Sequence, residues 1–176
     1  TLAVSTLGTD GSINTNKVLH ASESDVPLFK FQMRENTNAE ALTIQKLYLG
    51  VESAQNTLTD YKLFDADTNA QLGVTAPANI AGTTTSGEVR FTGLNYQVPK
   101  GGTKNLLVKA STVDGGTMSV NSNVTLGATF MEFVGQSSGT TTRDSGGVLT
   151  ASDIALDTIT VNDGSQFEVG DSVRVS

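Results

Sequence analysis

The chain contains no cysteine and no tryptophan, and only three prolines and one histidine among its 176 residues. Without thiols there are no disulfides and no thiolate metal sites, so stability has to come from packing and strand pairing. One imidazole and no thiol leave too few soft ligands for a zinc centre. Positive charge is scarce too: 11 Lys and Arg against 18 Asp and Glu give a formal charge of -7. This balance argues against a nucleic-acid partner, which requires clustered cations to displace counterions from phosphates. No apolar run approaches the roughly 18 residues of a membrane-spanning helix, so no membrane-spanning segment is expected. Walker and G-x-G-x-x-G sequences are absent, which removes the usual phosphate cradles. The lack of Cys and the opening at Thr1 rather than Met point to an exported, processed chain, and the expected location is extracellular, at a cell surface.

What is present is short β-patterned runs separated by turn residues, with 18 glycines and abundant Thr, Ser and Asn. Residues 26–34 show the clearest period of two, with Phe29, Phe31 and Met33 on one face and Lys30, Gln32 and Arg34 on the other. Leu42 and Ile44 alternate in one phase and Leu47 and Leu49 in the opposite one, which predicts a bulge near Gln45 and Lys46. Residues 103–113 predict the longest strand, with Leu106, Val108 and Ala110 inward. Further strands are expected at residues 2–6, 17–21, 61–63, 72–75, 89–98 and 130–134, and in a run ending at Leu126. Residues 76–87 read as an exposed loop.

Between residues 136 and 147 the composition shifts to Gly, Ser and Thr, which reads as a linker or long loop. Beyond it, residues 148–176 hold a few strand positions that are too few to close a core alone, so they must dock elsewhere. The expected organisation is a sandwich over 1–135, a linker over 136–147 and a C-terminal β extension over 148–176. That extension is exchanged with a neighbouring subunit or folds back on its own domain.

Phe91-Thr92-Gly93-Leu94 and the progression from Val98 through Pro99, Lys100 and Gly101 to Ala110 resemble Ig-like β-sandwich modules of prokaryotic S-layer, cell-surface and extracellular fibre proteins. The resemblance covers roughly residues 1–135. It implies an all-β, Ig-like antiparallel sandwich that acts as a spacer, lattice unit or stalk, and it is far more specific for fold than for function.

Candidate chemistry is sparse. Arg143-Asp144-Ser145-Gly146-Gly147 echoes the nucleophile motif of chymotrypsin-like proteases, with His20 and Asp60 as the remaining triad candidates, but Ser145 lies in the Gly/Ser/Thr-rich segment and reads as a linker serine. Asp157 and Asp163 are a conceivable glycosidase pair but read as solvated surface. Asp65, Asp67 and Asn69 match the opening of a Ca²⁺ loop, yet Ala70 and Ala76 stand where Gly and Glu belong, so the incomplete loop reads first as a hairpin tip. A Ca²⁺ site completed from another loop is the one cofactor reading left open. Asn123-Val124-Thr125 is a glycosylation acceptor. With three tyrosines and no tryptophan, an aromatic platform for sugars is poorly supported.

The expected function is therefore structural rather than enzymatic: a subunit or repeat of a surface layer, pilus-like filament or fibre that assembles by β-strand addition. Its partners would be copies of itself or neighbouring modules. The assembly strands would carry Leu2 and Val4 at one end and Ile154, Leu156, Ile159, Val161, Val173 and Val175 at the other. The alternative is an adhesin or carbohydrate-binding module with its ligand on the loops at residues 65–69 or 76–87.

Overall fold

A computed structural model describes residues 2–6, 17–18, 22–52, 58–76, 86–112, 123–145 and 159–162. Its elements are all strands: β1 (Leu2–Thr6), β2 (Lys17–Val18), β3 (Val26–Glu35), β4 (Leu42–Glu52), β5 (Leu58–Asp65), β6 (Ala70–Ala76), β7 (Ser86–Val98), β8 (Thr103–Thr112), β9 (Asn123–Gly135), β10 (Thr141–Ser145) and β11 (Ile159–Asn162). Among the described residues no helix is long and apolar enough to cross a membrane.

The strands form two sheets, one in the order β1-β3-β8-β5-β6 and the other β2-β11-β9-β4-β7, with β10 also on β9. Every pairing is antiparallel except that of β11 with β2. Apolar residues of both sheets share one core, as in a β-sandwich: Phe29, Phe31, Met33, Tyr61, Leu63, Leu106, Val108 and Ala110 from the first, Leu42, Ile44, Leu47, Leu49, Val89, Phe91, Val98 and Met131 from the second. The alternation along β3 and β8 predicts these inward faces. Phe29 and Phe31, two residues apart on one face, stack with ring centroids 5.3 Å apart.

Bulges shape the strands. Registers of β4 with both β7 and β9 shift between Ile44 and Lys46, where the phase of the apolar pattern changes. A second shift, between Pro27 and Phe29, lets Leu28 and Phe29 both turn inward, and it lies beside a proline that has no N–H for the ladder. Among the described residues the buried Tyr61 hydroxyl has no hydrogen-bond partner, a cost the surrounding core carries.

The 136–147 segment differs from the linker expected there. Residues 136–140 turn the chain, and Thr141–Ser145 pair with Phe130–Val134 of β9 as a hairpin. Composition hides this strand, because its apolar content is nil and its partner, rather than its own core contribution, holds it. The single β9 likewise spans what reads in sequence as two strands. Most of the loop at 76–87 and most of the C-terminal extension lie outside the described residues.

Phe31 is 1% exposed against its stacked neighbour Phe29. Phe31→Ala is expected to lower the unfolding free energy by roughly 3–5 kcal/mol, measured by chemical denaturation; an unchanged midpoint would place this face of β3 in solvent.

Candidate assembly edges and carboxylate anchors

An open sheet ends in strands with one row of unpaired backbone groups, and proteins guard such borders with bulges, charges, proline or cover. β1 is one border of the first sheet, paired with β3 from Leu2↔Glu35 to Thr6↔Phe31 without a register break. Leu2 is buried in the core, and Val4 stands opposite Met33. The other border, β6, is broken: between Tyr61↔Ala76 and Leu63↔Leu72 it carries extra residues, with Gly73 at a φ of 65°. β7 borders the second sheet and is also bulged, with Gly93 at 64° and Asn95 at 48° between its pairings to Lys46 and Ile44. The two bulges meet: a Cβ on Gly73 would come within 3.1 Å of the Leu94 side chain and 3.7 Å of the Thr92 carbonyl oxygen. This seam requires glycine for both its φ and its space.

On the opposite side of the second sheet, β10 and β11 lie in series along β9, at Phe130–Val134 and at 123–126. Ile159 and Val161 are thus in a strand that joins β9 and β2 of its own chain. Asn123 opens β9 opposite Asn162. Ile154, Leu156, Val173, Val175, His20, Asp157 and Asp163 lie outside the described residues. Ser145 ends β10, and Asp60 is an exposed residue of β5 at a φ of 50°.

Asp65, Asp67 and Asn69 share the β5–β6 turn, but their oxygens engage separate partners. Asp65 Oδ1 accepts hydrogen bonds from the amides of Asp67 (2.8 Å) and Thr68 (3.0 Å). Its Oδ2 accepts from the Tyr96 hydroxyl at 2.8 Å and from Lys104 Nζ at 3.3 Å. Asp67 accepts from Asn105 Nδ2 at 2.9 Å, and Asn69 from Lys109 Nζ at 3.3 Å. The lysine ammonium also lies 4.3 Å from the Phe64 ring centroid. Burial works against the Asp65 charge, but the bonds from Tyr96, the two amides and Lys104 outweigh it and hold the carboxyl below its usual range. Burial and the neighbouring carboxylate push the Tyr96 hydroxyl up. This anchor pins the turn to β7 and β8. Among the described residues no three His, Cys, Asp or Glu side chains gather as metal ligands do.

Three glutamates secure other junctions that the sequence gives little reason to single out. Glu35, buried at the end of β3, accepts from the Thr37 hydroxyl, from Gly101 N at 2.9 Å and from Thr37 N at 2.9 Å, which together lower its pKa to about 2. Glu40 accepts from Ser138 N at 2.9 Å, Ser138 Oγ at 2.7 Å and Ser137 N at 2.7 Å, fixing the β9–β10 turn with its carboxyl also lowered. Glu132 binds Arg143 Nε of β10 and Lys46 Nζ of β4, the latter at 3.1 Å, and is lowered by both. The signal in the sequence is Arg143 directly after Thr140–Thr142, and only the pairing with β9 sets it opposite Glu132.

No known sequence family matches this chain, and no curated protein does. Among the solved structures that match, two are similar over most of their length. One is AvmM, which catalyzes macrocyclization in alchivemycin A biosynthesis: 8% identical, covering 96% of this chain and 92% of its own, with a TM-score of 0.41. The other is the CssB subunit of the enterotoxigenic Escherichia coli colonization factor CS6, complemented with a donor strand from CssA: 11% identical, covering 92% of this chain and 96% of its own, with a TM-score of 0.36. One is an enzyme and the other a colonization-factor subunit.

Asp65→Ala leaves the buried Tyr96 hydroxyl and the Lys104 ammonium without their carboxylate, and its expected cost is on the order of 3 kcal/mol, whereas Asp67→Ala on the exposed tip should change stability by less than about 0.5 kcal/mol. Equal losses in urea titrations would show that the anchor does not depend on Asp65. Acid should act in the same direction. Since the native pKa of Glu35 is below the unfolded value, the unfolded chain binds the extra proton as pH falls from 4.5 to about 2, and stability is lost across that window. Thermal unfolding followed by circular dichroism should show a falling midpoint there, with a shallower fall in Glu35→Gln.

Proposed function

We propose that this chain is an extracellular structural module, a subunit or repeat of a prokaryotic surface layer, pilus-like filament or fibre, that joins its neighbours by β-strand addition. The observation that carries the reading is β1: a strand at one end of the described chain lies on a sheet border and is paired along one side only among the described strands. Backbone groups on such a border supply direction and affinity for an incoming strand. The reading is also non-catalytic. The polar clusters built by Asp65, Glu35, Glu40 and Glu132 are spent on their own turns and strand junctions.

A second reading, a glycan-binding module, is favoured by one feature of the outer face of the second sheet. Tyr48 stacks on Phe130 at 4.6 Å between centroids, and the Arg90 guanidinium lies 5.1 Å over the same Tyr48 ring. These residues lie side by side on β9, β4 and β7, a polar and aromatic row that suits a sugar better than a protein core.

Negative-stain microscopy of concentrated protein separates the two. Ordered filaments or sheets that disappear when residues 2–6 are deleted are expected. A monodisperse protein at every concentration that is retained on a glycan surface, and released by Tyr48→Ala, would establish the second reading instead.

A further inference from the structure

Resting on the strand-addition reading, we infer that the partner edge of β1 is β1 of a second copy, paired antiparallel about a two-fold axis at Val4. The inference comes from comparing borders. β6 and β7 are both bulged and press on each other at Gly73 and Leu94. β10 has Arg143 and Asp144 in its five residues, with Arg143 engaged by Glu132. β2 is two residues long and begins with Lys17. Each therefore carries one of the devices that discourage edge pairing.

Among the described residues β1 carries none of them. Its residues Leu-Ala-Val-Ser-Thr include no charge, no proline and no glycine, and its five pairings with β3 run in continuous register. A straight, uncharged edge needs a straight, uncharged partner, and among the described borders only β1 itself qualifies. An antiparallel pair that uses all five residues sets Val4 against Val4, Ala3 against Ser5 and Leu2 against Thr6 of the two copies.

This register is in phase. Leu2, Val4 and Thr6 stand opposite Glu35, Met33 and Phe31, whose side chains are buried, and a two-fold axis normal to the sheet keeps the same face inward in both copies. Between Leu2, Val4 and Thr6 lie only the small residues Ala3 and Ser5. The two five-stranded sheets become one continuous sheet across the pair. Such an isologous contact closes a dimer, and growth into a layer or fibre proceeds by a different contact between dimers.

The absence of cysteine makes a register test clean, since any introduced thiol is the sole one. Under mild oxidation Val4→Cys should give a disulfide-linked dimer on non-reducing gels, reversed by dithiothreitol, because opposed strand residues sit about 4.5–5.5 Å apart at Cβ. Ala3→Cys alone and Ser5→Cys alone should not cross-link, while a mixture of the two should. Circular dichroism of each reduced variant checks that it is folded, and the mixture reports the register even where Val4→Cys does not fold. Cross-linking of all three single variants alike, or of none of the samples including the mixture, overturns the inference. If the unaltered protein nevertheless forms ordered assemblies, strand addition stands and only the β1 partner is wrong; if it remains monomeric, the reading it rests on has failed as well.

Discussion

An open β-sheet cannot satisfy the backbone of its outermost strands from within, and that constraint governs this molecule. Two sheets packed face to face settle the apolar residues but leave borders on both sides. At one side the solution is geometric: the bulges of β6 and β7 bend the two borders together, with Leu94 lying over Gly73. At the other side the second sheet uses pieces of its own chain, β10 and β11, placed end to end along β9. Among the described residues the first sheet ends instead in β1, which has neither device.

Carboxylates do the local fastening. In a chain without disulfides, Asp65, Glu35, Glu40 and Glu132 each accept hydrogen bonds from residues distant in sequence: Tyr96 for Asp65, Gly101 for Glu35, Ser138 for Glu40 and Lys46 for Glu132. Each sits where a strand ends or two strands meet, and charge-assisted bonds to backbone amides hold turns that apolar packing does not reach. The acidic balance of the composition therefore does more than keep the surface soluble. Several of its charges are structural, and with their pKa values lowered the stability they contribute is lost only in acid, as pH falls below the usual carboxylate range.

The proposed function rests on the borders of the sheets. The β5–β6 tip resembles a cation loop by residue type, but its oxygens are turned to Lys104, Tyr96, Asn105 and Lys109. A D-x-D-x-N spacing states which oxygens are available and not which way they face, so the motif was legible while its use was not. The serine of the Asp-Ser-Gly-Gly stretch is likewise the end of an edge strand, and a four-letter motif holds no information about that setting.

Alternation of apolar and polar side chains by itself determined the all-β class, the inward residues of β3 and β8 and the bulge between Ile44 and Lys46, because a strand's faces are set locally by its period of two. Only tertiary structure decided which strands are neighbours, that Thr141–Ser145 is a strand at all, and that Asp65 is closed in by Tyr96 and Lys104. Strand pairing joins segments dozens of residues apart through backbone groups that every residue carries. Side-chain pattern is silent on the choice of neighbour, and so it is silent on which border is left unguarded.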